Sequence, residues 1–200
     1  DADIHTRVAA EVNGIEELEV TSDLRRIAKT INFGIVYGQS PFGLAKTLGI
    51  SNDEARDYIE LYFQRYSGVE AFMMDTLARC RNEGYVATML GRRREIKGVR
   101  DLAKLPESKR RSLTEPERIA INMPIQGTAA DLIKLAMLRV HEQLKNSDLQ
   151  ARLLLQIHDE LLLESPDEEL DALSDMIREA MTSVMELDVP LKVDVAHGRT

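Results

Sequence analysis

The stretch from Arg25 to Gly38, RRIAKTINFGIVYG, restricts the fold more than any other because both of its faces follow a helical repeat. At about 100° per residue, its apolar side chains fall in one sector that we expect to face a hydrophobic core. This sector contains Leu24, Ile27, Ala28, Ile31 and Ile35. A capping residue among Thr21, Ser22 and Asp23, together with the glycine at position 38, predicts a helix over about 22–37.

The opposite face of this helix carries four side chains spaced four residues apart. They are Arg25, Lys29, Phe33 and Tyr37, and we call them the basic–aromatic face. Cations in the first half of a helix suit phosphates, and an aromatic ring farther along suits a base or a sugar. This pattern favours a nucleotide-binding surface. The alternative is a solvated basic face whose two rings pack on a neighbouring segment.

A second motif, QIHDELLLE, places polar residues between two apolar runs. We interpret ARLLLQIHDELLLESP as a β-hairpin with buried apolar strands and with His158, Asp159 and Glu160 at an exposed turn. Two adjacent carboxylates suit a hard divalent cation such as magnesium, together with water and phosphate oxygens. An ordinary polar turn is the alternative. A two-metal site would also need a further acid from elsewhere in the protein.

A third motif, RIAINMPIQGTAADLIK, lies in a helix that we predict from Thr114 to about Lys145, with a proline in its first turn. Arg118, Asn122 and Gln126 occur four residues apart on one face of that helix. Such side chains can hydrogen-bond base edges in a minor groove and nearby sugar-phosphate oxygens. Helix capping or a polar network in the core explains the same residues equally well.

The remaining sequence predicts mostly helices and a few short strands. We expect helices over about 41–48, 51–66, 69–83 and 167–187, a hairpin over 85–98, a polar loop over 101–113 and a strand over 191–196. Helices combined with a small antiparallel sheet correspond to the α+β class.

Charge is distributed unevenly along the 200 residues, whose formal net charge is -8 at pH 7. Residues 79–111 contain 11 Lys or Arg against 4 Asp or Glu, and residues 157–190 contain 11 Asp or Glu against 1 Arg. This segregation indicates a basic, polyanion-binding surface next to an acidic region, although a solvated mosaic gives the same counts.

Several classes of protein are excluded by what the sequence lacks. No apolar run approaches the roughly 20 residues of a membrane span, and no Gly-x-x-x-x-Gly-Lys phosphate loop occurs. The single cysteine, Cys80, fits a reducing compartment rather than a disulfide framework, and we expect it to be a small packing residue. The sequence therefore predicts a cytoplasmic protein without a membrane partner.

The motifs RRIAKTINFGIVYG, RIAINMPIQGTAAD and QIHDELLLE, in this order, resemble those of the family A DNA polymerases of the bacterial DNA polymerase I type. The segments SPFGLAKTLGIS and YVATMLGRRREI also resemble that family, so the resemblance extends over nearly the whole chain. It implies an α+β right-hand fold with helical fingers and part of a small antiparallel palm sheet. The implied divisions are palm over 1–12, fingers over 13–117 and palm with the hairpin over 118–200.

The resemblance also implies a role for each residue of the first motif. Arg25 and Lys29 would hold the phosphates of an incoming deoxynucleoside triphosphate, and Lys29 would protonate the leaving pyrophosphate. Phe33 would stack near the sugar and base, and Tyr37 would lie beside the templating position. His5, in the Asp-Ile-His segment, would reach the triphosphate.

For the other two motifs the resemblance implies contacts with metal and with DNA. Asp159 would be a metal-binding catalytic carboxylate supported by Glu160, in a site that holds two Mg²⁺ ions in the complete enzyme. His158 would lie near the primer terminus. The side chains that would contact primer and template in the minor groove are Arg118, Asn122 and Gln126. The implied activity is addition of deoxynucleotides to a primer 3′ end by two-metal phosphoryl transfer, with primer–template DNA as the partner.

One element of the family is missing from the chain. The DYSQIELR segment, which normally precedes Asp-Ile-His, would supply the second catalytic aspartate and the glutamate that excludes ribose. We therefore expect the 200 residues alone not to polymerise DNA. Two alternatives remain: a non-catalytic nucleic-acid-binding module, whose DNA binding would ignore metal and triphosphate, and a single-subunit RNA polymerase of related fold, which would incorporate ribonucleotides.

Overall fold

The computed structural model describes residues 3–103 and 113–199, except for the side chains at 102 and 103. The helices are α1 (Ile4–Asn13), α2 (Ser22–Val36), α3 (Pro41–Leu48), α4 (Asn52–Arg65), α5 (Ser67–Glu83), α6 (Val99–Ala103), α7 (Glu115–Lys145) and α8 (Leu170–Thr182). The strands are β1 (Tyr85–Ala87), β2 (Arg93–Glu95), β3 (Arg152–Ile157) and β4 (Glu160–Glu164). β1 pairs with β2 and β3 with β4, both antiparallel, so the predicted α+β class is confirmed.

The chain divides into two compact units. The first comprises residues 1–87 and 91–124, and the second comprises residues 88–90 and 125–200. Helix α7 contributes its residues up to Pro124 to the first unit and the rest to the second. The division into fingers and palm at residues 12 and 117 stays a prediction.

The described residues of the first unit form three hydrophobic clusters, and α2 contributes to two of them. Ala28 packs with Val8 and Ala9 of α1, whereas Ile31 and Ile35 pack with residues of α3 and α4. The third cluster contains Met73, Leu77, Cys80, Val86, Ile96, Val99, Ala120, Ile121 and Met123. Helix α2 is therefore fixed from two sides, which leaves its basic–aromatic face uncovered.

Cys80 is fully buried in the third cluster, in agreement with the expectation of a packing residue. Burial raises the pKa of its thiol, which lowers the population of the reactive thiolate.

The second unit is built around Val140 of α7 and the apolar stripe of α8. These side chains form a cluster with Ala151, Leu173, Ile177 and Ala180, and Leu161 and Leu163 of β4 pack against it. One face of the β3–β4 hairpin is therefore attached to the helices. No helix among the described residues is both long and apolar enough to cross a membrane.

Most predicted helices are observed with nearly the predicted limits, and the differences have local causes. Helix α8 spans Leu170–Thr182 instead of 167–187. Residues Asp167–Glu169 form a 3-10 turn before it, and at its end the Thr182 and Ser183 hydroxyls donate to the carbonyls of Arg178 and Glu179, both at 2.7 Å, a contact that weakens a helix. Helix α5 begins at Ser67 instead of 69.

Two predictions for irregular segments differ from the structure. The prediction of a strand over 191–196 was wrong. In the described part of the chain this segment pairs with no other strand, and an alternating sequence pattern cannot form a β-ladder without a partner strand. The loop predicted from residue 101 begins inside α6, and residues 104–112 lie outside the described residues.

Candidate nucleotide-binding and metal-binding sites

Helix α2 begins and is oriented largely as predicted. The Thr21 hydroxyl caps it by accepting a hydrogen bond from the Leu24 amide at 3.3 Å. The buried face of α2, however, differs from the predicted one at its two edges. Ile27 is 41% exposed because it lies at the edge of the sector centred on Ala28 and Ile35, and the polar Asn32 lies within that sector instead.

The basic–aromatic face is open to solvent. Phe33 is 43% and Tyr37 38% exposed, and their rings stack with centroids 5.7 Å apart at an interplanar angle of 27°. The Lys29 Nζ lies 5.9 Å from the centre of the Phe33 ring, in reach of a cation–π interaction. The two rings therefore pack on each other, and Phe33 also packs on the His5 ring of the neighbouring helix α1.

Arg25 is held by a residue that the sequence did not single out. Its Nε lies 2.5 Å from Asp3 Oδ2, and both side chains are more than 40% exposed. The Arg25 guanidinium holds the pKa of the Asp3 carboxyl well below its usual range. Asp3 is also the N-cap of α1, where it accepts the His5 amide hydrogen at 3.0 Å. The guanidinium therefore has a carboxylate partner in this structure, with which an anionic ligand of Arg25 would compete.

His5 lies beside the same face, and its contact with a triphosphate stays a prediction. Its ring centroid is 5.6 Å from that of Phe33, and its Nδ1 is 2.9 Å from Asn32 Nδ2. Burial lowers the pKa of the imidazole, and the charges of Arg25 and Lys29 lower it further, whereas Asp3 opposes them. Asn32 was missed at the level of sequence, although a polar residue within an apolar helical stripe is the signal that could have identified it.

A cleft of about 500 Å³ adjoins the aromatic end of the face. Phe33, Gly34, Tyr37, Gln39, Ser40, Gly43, Thr47 and Arg118 line it. Gly38 allows the close approach of Arg118: its φ is +73°, and a Cβ there would lie 3.3 Å from Arg118 Cγ and 2.8 Å from a Leu113 methyl. Arg118 is thus brought to the two rings, a placement that its spacing from Asn122 and Gln126 did not predict.

The start of α7, which carries Arg118, is fixed by a buried ion pair. Glu117 is 4% exposed and accepts hydrogen bonds from the Arg81 guanidinium of α5, through Nη2 and through Nε at 3.2 Å. It also accepts the Thr114 amide at 2.9 Å and the Thr114 hydroxyl at 2.8 Å. Burial alone would raise the pKa of the Glu117 carboxyl, but these hydrogen bonds and the Arg81 charge lower it below its ordinary value.

The other two residues of the predicted DNA-contacting row differ in exposure. Asn122 is half-buried, and its Oδ1 has no hydrogen-bond partner among the described residues, so the polar network considered as an alternative does not include this atom. Gln126 is exposed. Their contact with a minor groove stays a prediction.

The β3–β4 hairpin presents its acidic residues at its tip. Ile157 pairs with Glu160, so the turn consists of His158 and Asp159, and Glu160 is the first residue of β4. His158 adopts a left-handed conformation with φ of +53°, as the first position of a two-residue turn requires, and Gln156 Nε2 donates to its carbonyl at 2.5 Å. Asp159 and Glu160 are both exposed.

The prediction that both strands of this hairpin are buried was wrong. Leu155, Ile157 and Leu162 are 56%, 47% and 48% exposed. Successive side chains of a strand point to opposite faces, and only the face of Leu161 and Leu163 packs against the helical cluster of its unit.

The two carboxylates at the tip suit a hard cation by their chemistry. In the described part of the chain, the side chains of Asp159 and Glu160 make no ion pair or hydrogen bond that would compete with a metal. No group of three or more His, Cys, Asp or Glu side chains that could hold a metal ion occurs among the described residues. The pair therefore fits part of a Mg²⁺ coordination shell, which other ligands must complete.

Comparisons with known proteins agree with the motifs. The family described as DNA polymerase family A matches residues 1–200. DNA polymerase I of Bacillus caldotenax is 46% identical over the whole chain, and that of Bacillus subtilis is 46% identical over 99% of it. The chain spans 22% of the length of each of these relatives.

A solved structure is also similar to this chain. It is the POL domain of Pol1 from M. smegmatis in complex with DNA primer-template and dNTP, with a TM-score of 0.84 and 42% identity. The match covers 95% of this chain and 32% of that one.

Proposed function

The chain belongs to DNA polymerase family A, and from that premise we propose that it is the fingers and part of the palm of a DNA-directed DNA polymerase. The substrates would be primer–template DNA and deoxynucleoside triphosphates, in keeping with the ligands of the similar M. smegmatis structure. The reaction would be attack of a primer 3′ hydroxyl on the α-phosphate, which forms a new P–O bond and releases pyrophosphate.

The observation that carries this proposal is the exposed basic–aromatic face. Phe33 and Tyr37 offer two stacked rings to a base and sugar, and Lys29 lies one turn before them on the same face. Arg25 lies one further turn back, at the start of α2, where the helix dipole also favours an anion. A triphosphate laid along this face would meet cations at its phosphate end and rings at its base end.

Each residue of the face would act on a different part of the nucleotide. Arg25 would bind the phosphates in competition with Asp3, and His5 would lie beside them. Lys29 would donate the proton that the leaving pyrophosphate needs, and general-acid catalysis of this kind contributes about 10²–10⁴ in rate. Phe33 would contact the sugar and base.

Asp159, with Glu160 in support, would hold Mg²⁺ at the hairpin tip. When bound, the metal supplies positive charge to phosphate oxygens and lowers the pKa of a coordinated hydroxyl. Because the described residues provide only this pair of carboxylates at the tip, we propose that the 200-residue chain alone does not extend a primer.

The test is primer extension with magnesium by the full-length protein that carries this chain. Asp159→Asn should lower the rate at least about a thousandfold, the equivalent of about 4 kcal/mol of transition-state stabilisation. The matched control is Glu164→Gln, an exposed carboxylate at the other end of β4, which should leave the rate unchanged. Primer extension that survives in Asp159→Asn would show that the reaction does not depend on a metal ion held at this hairpin.

A second pair of variants tests the basic–aromatic face. Lys29→Ala should lower the catalytic rate by about 10²–10⁴, whereas Lys46→Ala, an exposed lysine of α3, should have no effect. An unchanged rate in Lys29→Ala would exclude the proton-donor role. If the unaltered protein binds primed DNA without extending it, and this binding ignores both metal and triphosphate, a non-catalytic binding module is the better account.

A further inference from the structure

We propose that Asn32 is a positioning residue, which holds the His5 ring in the tautomer that carries its proton on Nε2. The ring then presents an N–H donor beside the cations of the basic–aromatic face, where the phosphates of the nucleotide would lie. The identity of that phosphate ligand rests on the proposed function. The control of the tautomer does not, because both residues belong to this chain.

Asn32 is a polar residue in an apolar setting. It is 6% exposed and lies on the buried side of α2, in the same sector as Ala28, Ile31 and Ile35. Burying an amide without a hydrogen bond costs about 1–3 kcal/mol, so packing alone would favour an apolar side chain at this position. The residue must therefore be explained by a polar contact.

That contact is with His5. The Asn32 Nδ2 lies 2.9 Å from His5 Nδ1, across the interface between α2 and α1. Asn32 Oδ1 is buried and has no hydrogen-bond partner in the described part of the chain. No other hydrogen bond of this side chain occurs among those residues, so the whole polar function of Asn32 is directed at His5.

The chemistry of the two groups determines where the proton lies. An amide nitrogen carries hydrogens and accepts none, so His5 Nδ1 must be the acceptor in this contact. In a neutral imidazole the other nitrogen, Nε2, then carries the hydrogen. The ring is neutral near pH 7 because burial and the cations Arg25 and Lys29 lower its pKa against the opposing charge of Asp3.

The position of the ring gives this tautomer a use. The His5 centroid lies 5.6 Å from that of Phe33, and Phe33 also has Lys29 Nζ 5.9 Å from its centre. The imidazole and the Lys29 cation thus both lie beside the Phe33 ring. A neutral ring with its proton on Nε2 donates a hydrogen bond to a phosphate, whereas the opposite tautomer would present a lone pair and repel it.

The tautomer is measured directly by nuclear magnetic resonance. The full-length protein is labelled with ¹⁵N histidine, and the His5 signal is identified as the one that His5→Gln removes. We expect the unaltered protein to show the proton on Nε2. Asn32→Leu should lose this preference, and Asn32→Asp should place a proton on Nδ1, because a carboxylate accepts a hydrogen bond from that nitrogen.

The functional consequence is measured as a double-mutant cycle. Asn32→Leu should raise the KM for deoxynucleotides about tenfold with little change in kcat, the equivalent of about 1.4 kcal/mol of binding. In a His5→Ala background the same change should add nothing to KM. The matched control is Asn13→Leu, which removes an amide that donates to the Ala9 carbonyl of α1 and does not contact His5.

Three results would overturn the inference: a proton on Nδ1 in the unaltered protein, an unchanged tautomer in Asn32→Leu, or equal KM effects in both backgrounds. If Asn32→Leu fails to fold, Asn32→Asp, which keeps the size of the side chain but only accepts hydrogen bonds, shows whether position 32 controls the proton on Nδ1. If the unaltered protein does not extend primers, the proposed function fails while the resonance experiment still reports on Asn32. The two failures are therefore distinguishable.

Discussion

Removal of the negative charge from Glu117 tests how the start of α7 is held in place. Glu117→Gln keeps the shape of the side chain but leaves the Arg81 guanidinium beside a neutral amide. The Glu117 side chain is 5% exposed and that of Arg81 21%, so the pair is largely shielded from solvent. Arg81 and Glu117 are 36 residues apart along the chain, so the ion pair joins α5 to α7 and does not stabilise either helix alone.

The expected loss of stability follows from this burial. Removing one partner of a buried ion pair costs about 3–5 kcal/mol, because the other charge stays buried and unpaired. Arg81 can regain part of its hydration through its exposed fraction, so we expect a loss somewhat below that range, about 2–3 kcal/mol. In a double-mutant cycle with Arg81→Met, the coupling energy should be about 1.5–3 kcal/mol.

The loss should also depend on pH in a defined direction. The folded pKa of Glu117 lies below its ordinary value of 4.5. The stabilisation is therefore fully present above about pH 4.5 and is lost as the pH falls through the lowered folded value. The difference in unfolding free energy between the unaltered protein and Glu117→Gln should be largest at neutral pH and should become smaller in acid.

Native-state hydrogen exchange is the suitable assay, because it reports the free energy of opening at single amides and so separates this unit from the rest of the protein. The probes are core amides such as those of Leu77 and Ile121. The matched control is Asp53→Asn, which breaks the exposed Asp53–Arg56 pair of α4 and should cost less than about 1 kcal/mol. A loss in Glu117→Gln no larger than in this control, or one that grows in acid, would refute the reasoning.

Three further changes test the packing around the site, each by the unfolding free energy of the unit that contains it. Leu77→Ala should lower the free energy of unfolding by about 2–5 kcal/mol because the side chain is fully buried. Met74→Ala on the same helix, where the side chain is 58% exposed, should lower it by less than about 0.5 kcal/mol, and equal losses would contradict the assigned core. Gly38→Ala should lower the free energy of unfolding by about 1–3 kcal/mol, since φ is +73° and the new methyl group would contact Leu113. An unchanged free energy would mean that the turn can relax. Thr21→Ala should cost about 0.5–2 kcal/mol through loss of the α2 cap, and no change would mean that water caps the helix as well.

The parts of the fold that the sequence predicted well depend on signals carried within one helix or turn. The start of α2 at its Thr21 cap and the end of α3 at Gly49 follow from capping preferences that act over a few residues. The exposed row of Phe33 and Tyr37 follows from helical spacing in the same way. The strand over 191–196 failed for the opposite reason, because a strand exists only where another strand pairs with it.

The sequence by itself thus determined the helices, the basic–aromatic face, the acidic hairpin tip and the family. Only the tertiary structure decided which side chains complete the site. Asp3 reaches Arg25 across 22 residues of chain, and Asn32 reaches His5 across 27. No local pattern encodes such contacts, because they exist only after α1 has packed on α2, and the free energy that brings them together comes from burying Val8, Ala9 and Ala28 between those helices.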